Sequence, residues 1–521
     1  MIDNQASHLA AMEAHDAAVK TIATHVRSFY ERQKAFRIYH GSTNSTRTSQ
    51  RRADNTINTS SLNHVLSIDK TTMTAMVEPN VPMDDLVNAT LKHGLIPPVV
   101  MEFPGITVGG GFSGTSGESS SFRYGAFDST FDSIEIVLPD GTIAKASKKE
   151  RNDLFWGAAS AFGTLGVVTL LEVRLLPAKK FVRLQYEIST SVEDSVKKIR
   201  TECDDSDNDF VDGIVFDKHT TLVCTGRLVD EVPEGEKVRR FTRRSDPWFY
   251  IRAREVQNTL KKADGKSESA VVDHVPLVDY LFRYDRGGFW VGKYSFSYFL
   301  VPFNRITRFL LDRFMHTRVM YRAVHKSGLA DYYMVQDVGV PFSRTAEFQT
   351  WLDDTFNIYP LWLCPLRIRR EDPDSSYGLH SEFSKADTPD LMNFGVWGPV
   401  KGSRREVVEM NRALERKVQE LAGKKWLYAH AYYTEEEFWA HYDRGSYDAL
   451  REKYKATFLP SVYDKVKVDV DREEEERNKD WRTRGRAMLG DVWPLRGLKG
   501  FLGAARGGDY LMRKKGKHVE S

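Results

Sequence analysis

Hydrophobic and polar positions change their period along the chain, and the change near residue 180 divides the sequence into two parts. From about Ser7 to Gln33, apolar residues recur at helical spacing. Short alternating runs then predict strands, and helical patterns interrupt them at about residues 82–93 and 152–162. The predicted strands are 36–39, HVLSID, TMTAMVEP, SIEIVLPDGTIAKAS and GVVTLLEVRLLP. This first part is therefore predicted to be an α+β module.

One of these runs, SIEIVLPDGTIAKAS, predicts a β-hairpin with its turn in the middle. Pro139 fixes φ, Asp140 caps the turn, and Gly141 adopts positive φ at no steric cost.

After Pro177 the sequence becomes aromatic-rich and irregular, which indicates a second domain that covers the first. Strands are predicted around 211–216 and 332–340, and helices at 404–421 and 435–442. The expected organisation is a first domain over 1–180, an α+β substrate or cap domain over 181–466, and a charged, basic tail over 467–521.

Composition limits the class of protein. Of the 521 residues, 41% are hydrophobic and 28% are charged, as in soluble folded domains, and the net charge of +3 gives no field for nucleic acid. The three cysteines are far apart, which favours a reducing compartment and predicts no metal site. The acidic N-terminus does not resemble a secretion signal, and no apolar run has the length of a membrane span. A cytoplasmic protein that is not secreted is expected.

The tail has two interpretations. Between Trp481 and Ser521 it carries ten Lys or Arg against three acidic residues. It is either a solvated tail or a membrane-surface contact, with its apolar side chains on lipid and its cations on anionic headgroups. Deleting the residues after Asp480 and measuring liposome binding separates the two.

The stretch FPGITVGGGFSGTSGESSSFRYG, residues 103–125, has the highest density of glycine in the chain. Residues 109–114 fit GxGxxG, but no strand leads into the first glycine and no helix is expected to open from the last, which excludes a Rossmann turn. No Gly-Lys-Ser/Thr follows, so a P-loop is excluded as well. The stretch predicts a long non-helical loop whose backbone N–H groups and hydroxyls suit a pyrophosphate.

Two other glycine-bearing turns occur in the first part of the chain, at Gly41–Thr46 and Gly163–Gly166. Each follows a predicted strand or helix. If the module folds as one unit, the three turns converge, and their convergence implies a large ligand.

These motifs carry a family resemblance. Over about residues 30–180 the chain resembles the FAD-binding domain of the vanillyl-alcohol-oxidase or PCMH type. The resemblance lies in the turn Gly41–Thr46, in VGGGFSGTSGESSSFRYG and in DLFWGAASAFGTLGVVTLLEVRLLP. The chain is also similar to the Delta(24)-sterol reductases, and this similarity extends to about Tyr463. The motifs that carry it are MVQDVGVP, NIYPLWLCPLRI, WLYAHAYYTEEEFW and YDALREKY. The implied fold is α+β, a two-subdomain PCMH-type FAD-binding domain followed by an α+β cap.

The resemblance implies an FAD enzyme that reduces the Delta(24) side-chain double bond of a sterol or another apolar alkene, with NADPH as co-substrate. The implied FAD-binding residues are Gly41, Ser42, Thr43, Asn44, Ser45, Thr107, Val108, Gly109, Gly110, Gly111, Gly114, Thr115, Ser116, Gly117, Glu118, Ser119, Gly163, Thr164, Gly166, Val167 and Val168.

The sequence departs from the family pattern in two places. Many oxidases of the superfamily attach FAD to a histidine in the first turn, where this chain has Asn44, although a one-residue shift would offer His40. Non-covalent FAD is therefore expected. The sterol reductases also carry an N-terminal membrane anchor, whereas this chain starts with a polar helix. The basic tail is the candidate replacement, so the resemblance implies peripheral association with the endoplasmic reticulum membrane as the alternative to a cytoplasmic location.

Reduction of an unpolarised C=C bond requires an acid in a dry pocket. LYAHAYY, taken as a strand, places Tyr428, His430 and Tyr432 on one face as a proton relay, with an ordinary core cluster as the alternative. Arg367 and Arg369 alternate likewise and could face the flavin or the NADPH phosphates, or be surface charges.

Two other function classes stay open. One is a flavin oxidase or dehydrogenase of an alcohol, sugar or lactone, although the signature motifs of the aldonolactone and berberine-bridge types are missing. The other is a non-catalytic protein that keeps FAD as a structural element.

Overall fold

The computed structural model describes residues 2–39, 53–262, 270–327 and 333–471, together with positions 475 and 502. Within this part of the chain, two antiparallel sheets lie on either side of the boundary predicted near residue 180. We name the part before this boundary the N-terminal module and the part after it the cap. Among the described helices, none has both the length and the apolar character needed to cross a bilayer.

The N-terminal module is built on a five-stranded sheet. Its strands, in spatial order, are Val65–Asp69, Thr74–Val77, Val167–Arg174, Phe131–Val137 and Ile143–Ser147. Two small ribbons flank it: Arg37–Tyr39 parallel to Thr56–Asn58, and Leu95–Ile96 antiparallel to Leu176–Pro177. Its helices are Ile2–Glu31, Met83–Leu91, Val108–Gly114, Ser121–Tyr124 and Asn152–Ala158, with 3-10 turns at Ala53–Asn55 and Phe127–Thr130.

The predicted hairpin is present. Its strands pair from Ser133–Ser147 to Val137–Ile143, Asp140 Oδ1 accepts the Thr142 N–H at 2.9 Å, and Gly141 has φ +83°. A Cβ on Gly141 would also lie 2.8 Å from the Ala23 carbonyl oxygen, so the turn needs glycine for its conformation and for its packing on the first helix.

The cap is built on an eight-stranded sheet. Its strands, in spatial order, are Val271–Pro276, Phe181–Ser189, Thr220–Val229, Phe210–Asp217, Leu361–Leu366, Leu391–Pro399, Tyr333–Pro341 and Lys424–Lys425. Its helices are Val192–Asp204, Phe249–Lys262, Leu277–Leu281, Val291–Tyr298, Arg305–Leu311, Thr317–Ser327, Thr345–Thr355, Arg404–Glu420, Glu435–His441, Arg444–Lys453 and Val462–Val466, with 3-10 turns at Asp312–Phe314, Phe342–Arg344 and Ser381–Ser384.

Both faces of the cap sheet are buried. Along one strand, Trp362 and Cys364 join a core shared with the N-terminal module, whereas Leu361 and Leu363 join a second core beneath the helices. This is the period of two expected of a strand between two apolar layers.

The module and the cap are joined by backbone hydrogen bonds. The Val211 N–H donates to the Ser119 carbonyl oxygen at 2.8 Å, and the Arg367 N–H donates to that of Ser121 at 3.2 Å. A side-chain contact also joins the two parts, because the hydroxyl of Tyr454 in the cap donates to Asp153 of the N-terminal module at 2.9 Å. The two parts therefore pack as one body.

The first helix is held on the N-terminal sheet by an apolar stripe and one buried histidine. Val19, Ile22 and Val26 are buried at helical spacing. His15, 2% exposed, lies with Nδ1 2.8 Å from Glu78 Oε1 and Nε2 3.3 Å from Glu135 Oε1. Although burial alone would lower it, the two carboxylates raise the pKa of His15 to about 9.

Replacing His15 with Gln is expected to lower the free energy of unfolding by roughly 3 kcal/mol, because it leaves two carboxylates without their buried cation. The folded pKa lies above the ordinary 6.5, so the contribution is complete below about pH 6.5 and is lost as the pH rises through about 9. Urea unfolding across this range measures it. His25→Gln, an exposed position on the same helix, is the control, and equal losses in both variants would contradict the prediction.

Candidate functional site

The glycine stretch forms a short helix, Val108–Gly114, and the prediction of a non-helical loop was wrong. Thr107 caps the helix by accepting the Gly110 N–H at 3.2 Å on Oγ1, and the helix ends where Thr115 takes φ +52°. A Cβ on Gly109 would lie 2.6 Å from Pro79 Cβ. At this position glycine lets the helix pack closely against Pro79, and it does not serve to make a loop flexible.

The structure brings two of the three predicted turns together. The Thr115 and Ser160 hydroxyls are hydrogen bonded, and the Phe162 N–H donates to the Ser113 carbonyl oxygen at 3.4 Å. Gly163, with φ +72°, lies against Ile38, which belongs to the strand leading toward the first turn. The first turn itself, with Gly41, Ser42, Thr43, Asn44 and Ser45, lies outside the described residues, as does His40.

A cavity of about 430 Å³ opens between these turns and the cap. One wall consists of small residues and two valines: Gly105, Thr107, Gly109, Gly110, Ser113, Gly114, Thr115, Ser116, Gly117, Gly163, Gly166, Val167 and Val168. The other is mostly aromatic with a few polar groups: Glu102, Phe289, Tyr321, Val335, Asp337, Trp362, Leu366, Asn393, Trp397, Trp426 and Tyr428.

Some predicted cofactor residues lie away from the cavity. Val108 is fully buried, and Gly111 packs against Met101 and Phe127. Thr164 Oγ1 lies 2.7 Å from the Tyr447 hydroxyl. Glu118 and Ser119 are buried as well, on the side that faces the cap.

Glu118 belongs to a buried group of charges that joins the module to the cap. Arg283 Nη2 lies 3.2 Å from Glu118 Oε1 and 2.8 Å from Asp212 Oδ2, and these three side chains are at most 3% exposed. Asp212 Oδ2 also accepts hydrogen bonds from the Tyr284 hydroxyl at 2.9 Å and from Trp362 Nε1 at 3.1 Å. The charges are thus connected to the aromatic wall through Trp362.

The predicted strand with Tyr428, His430 and Tyr432 on one face is absent. In this segment only Ala431 forms an isolated bridge, to Lys467. The His430 carbonyl accepts from the Lys425 ammonium at 2.5 Å, and the Tyr432 N–H donates to Glu415 at 2.9 Å. The buried Lys425–Glu415 pair thus binds the backbone groups that a strand would have used, and of the three predicted residues only Tyr428 lines the cavity.

The two arginines proposed to face the flavin or NADPH are not among the described residues that line the cavity. Arg367 Nη1 donates to Glu371 at 3.0 Å, and Arg369 Nη1 to the Ala386 carbonyl oxygen at 3.2 Å.

Tyr428 belongs to a polar chain that sequence reasoning missed. Its hydroxyl donates to Asp337 Oδ2 at 2.5 Å, Asn393 Nδ2 donates to Asp337 Oδ1 at 3.0 Å, and Trp426 Nε1 donates to Asn393 Oδ1 at 2.8 Å. Burial raises the pKa of Asp337 to about 6. The available signal was a lone carboxylate inside the apolar strand MVQDVGV.

Glu102 is the second carboxyl group of the cavity that was missed. It follows the buried run Val99–Met101 and is 9% exposed. Burial, and then the nearby charges of Glu118 and Asp337, raise its pKa to about 8. At neutral pH this carboxyl group is therefore mostly protonated in a largely apolar cavity.

The cavity has the features that FAD requires. A Cβ on Gly114 would meet nothing closer than Phe162 at 3.8 Å, so a ligand can approach the backbone there. Two cations, Arg37 and Lys465, line the cavity beside the small residues, and Lys465 donates to the Phe162 carbonyl oxygen. Exposed backbone, hydroxyls and positive charge suit a diphosphate, and the aromatic wall suits a flavin ring.

A family model described as an FAD binding domain matches residues 16–147. Together with the cap and the shared cavity, this match defines an FAD-dependent oxidoreductase of the α+β PCMH type.

Similarity to curated proteins extends over both parts of the chain. The Delta(24)-sterol reductase of Macaca fascicularis is 30% identical over 415 residues, which cover 77% of this chain and 76% of the relative. That of Pisum sativum is 30% identical over 457 residues, covering 81% and 78%. A Delta(24)-sterol reductase homolog of Caenorhabditis elegans is 28% identical over 430 residues, covering 79% and 78%. The chain belongs to the Delta(24)-sterol reductase family.

Proposed function

We propose that the protein reduces the Delta(24) side-chain double bond of a sterol, with bound FAD and with NADPH as the hydride donor. The observation that carries the proposal is a single cavity with a small-residue wall from the N-terminal module and an aromatic wall from the cap. The reaction that the relatives' names describe needs both walls, one for the flavin and one for an apolar alkene.

The aromatic wall fits a hydrocarbon chain. Phe289 and Trp397 have ring centroids 4.4 Å apart, and Trp362 stacks on Trp397 at 5.9 Å. Each buried CH₂ group of a sterol side chain contributes about 0.8 kcal/mol, so such a wall can bind the chain tightly without polar contacts.

FAD, when bound, supplies hydride chemistry to a C=C bond. The cavity-lining residues of 107–117 and of the 163–168 turn would hold it on the small-residue wall. Asn44 stands where many oxidases of the superfamily have the histidine that attaches FAD, and this substitution supports non-covalent binding.

Adding two hydrogens across an unpolarised double bond also requires a proton from the protein. Glu102 is suited to provide it because its raised pKa, about 8, keeps the carboxyl group protonated at neutral pH. The Tyr428 hydroxyl already donates to Asp337, so it can donate into the cavity only when Asp337 is itself protonated. We therefore assign the proton to Glu102 and a positioning role to the Tyr428–Asp337–Asn393 chain.

An anaerobic experiment tests the function. NADPH is expected to bleach the flavin absorption of the purified protein, and a Delta(24)-unsaturated sterol is expected to restore it with formation of the saturated side chain. A sterol whose side chain is already saturated serves as the control. Bleaching by an alcohol or sugar followed by reoxidation with oxygen would instead indicate an oxidase, and no bleaching under any condition would indicate a non-catalytic flavoprotein.

A further inference from the structure

Four large apolar side chains are exposed together on the cap. Leu300 is 75% exposed, Ile306 71%, Leu310 61% and Phe309 43%. The other large apolar side chains exposed in the described part of the chain, Leu9, Ile143, Val238 and Leu502, are far from these in sequence and from one another. We name these four residues of the segment 300–310 the apolar patch.

The apolar patch is not needed to complete a core. The same segment already buries its inner side in a small cluster around Trp248, Phe296 and Met315. The segment is closed at its base, where the Gly287 N–H donates to the Met315 carbonyl oxygen at 2.6 Å. The exposed side chains are therefore additional to those that stabilise the fold, which marks an interaction surface.

Basic residues outnumber acidic ones along the chain around the patch. Between residues 287 and 323 the chain carries one acidic residue, Asp312, which is 5% exposed and hydrogen bonded to Arg286 at 2.8 Å. The basic residues of the same stretch are Lys293, Arg305, Arg308, Arg313, Arg322 and Arg318, of which Arg318 pairs with Asp84 at 2.7 Å. Apolar side chains among cations are complementary to a surface that has hydrocarbon beneath anionic groups.

The patch lies in the stretch of chain that also forms the cavity. Phe289 and Val291, before the patch, and Met320 and Tyr321, after it, line the cavity. The surface of a partner that contacts the patch would therefore lie next to the two segments, before and after the patch, that line the cavity.

We propose that the apolar patch docks the protein on an anionic phospholipid bilayer. Leu300, Ile306, Phe309 and Leu310 enter the acyl boundary, and Arg305 and its basic neighbours contact the headgroups. Docking does not depend on the function proposed above. Its use, delivery of a bilayer-dissolved substrate to the cavity, rests on that function.

Vesicle sedimentation of the full chain tests the docking. The protein is expected to bind vesicles of phosphatidylcholine mixed with phosphatidylserine and to bind pure phosphatidylcholine more weakly. The double variant Ile306→Gln, Leu310→Gln is expected to lose roughly tenfold or more in affinity. Leu9→Gln, at an exposed leucine outside the patch, is the matched control. Flavin absorption and the thermal midpoint establish that each variant is folded.

Charge-reversal variants test the contact between the basic residues and the lipid headgroups. Arg305→Glu is expected to weaken binding to the mixed vesicles several-fold more than Arg416→Glu, an exposed control on another helix. Vesicle binding that is unchanged in both patch variants would overturn the proposal. So would light scattering that shows a dimer in the wild type and a monomer in the double variant, without vesicle binding, because a second copy would then be the occupant.

Measuring sterol reduction in detergent and in vesicles separates the docking proposal from the proposed function. The double variant is expected to reduce detergent-dispersed sterol at the wild-type rate and vesicle-borne sterol more slowly. If wild type and variant bind vesicles as predicted but neither reduces sterol, docking stands and the proposed function fails. Equal rates with vesicle-borne sterol would contradict the delivery role.

Discussion

Replacing Glu102 with Gln is expected to slow sterol reduction about 10²- to 10⁴-fold, the usual contribution of a general acid. The amide has nearly the same shape but no proton to give. Reduction of the flavin by NADPH needs no proton from Glu102, so that half-reaction is expected to keep its rate. Stopped-flow absorption measures the two half-reactions separately. Glu172→Gln, which removes a carboxylate of the N-terminal sheet bonded to Ser133, is the matched control.

The pH profile distinguishes a proton donor from a structural residue. Because the pKa of Glu102 is raised to about 8, its carboxyl group is protonated below that pH, and turnover is expected to fall as the pH rises through it. The Gln variant is expected to lose this fall. Tyr428→Phe is expected to reduce turnover while keeping the fall. A Gln variant with the wild-type profile would exclude Glu102 as the source of the proton.

Replacing Arg283 with Met is expected to lower the free energy of unfolding by about 3–5 kcal/mol, because Glu118 and Asp212 would stay buried without their shared cation. Loss of FAD is expected too, since Glu118 follows the helix that forms the small-residue wall. Chemical unfolding and the ratio of flavin to protein absorption measure the two effects.

Two further variants make the Arg283 prediction specific. Arg227→Met removes an arginine that is 39% exposed and paired with Asp205, and it is expected to cost about 1 kcal/mol or less. Adding Glu118→Gln to Arg283→Met is expected to recover part of the lost stability, because one of the two orphaned charges is removed. Similar losses for Arg283→Met and Arg227→Met would show that the buried group does not hold the module and the cap together.

Local periodicity predicted the elements well and the glycine stretch badly. The first helix and the 131–147 hairpin follow from spacing and turn residues alone. The glycines at 109–111 suggested a free loop, because sequence shows how permissive glycine is and not what lies beside it. In the structure Pro79 and Met101 lie so close to this helix that side chains at Gly109 and Gly111 would collide with them.

Among the polar residues of the aromatic wall, only Tyr428 was predicted. Glu102, Asp337 and Asn393 come from separate segments, and only the sheet order and the contact of cap with module bring them together. The predicted proton relay depended on LYAHAYY forming a strand, in which every second side chain lies on the same face. A buried ion pair, Lys425 with Glu415, binds the backbone there instead, and such tertiary competition is not visible in a local pattern.

Under the proposed function, the strand Leu361–Leu366 would contact both the flavin and the alkene. Trp362 and Leu366 face the cavity, a Cβ on Gly117 would lie 2.7 Å from Leu366, and the next residue, Arg367, hydrogen bonds to Ser121. A substitution that reshapes the alkene pocket from this strand will therefore also alter how firmly the flavin is retained. Under the proposed function, substrate preference should diverge more readily through Met320, which lines the cavity from the helix Thr317–Ser327.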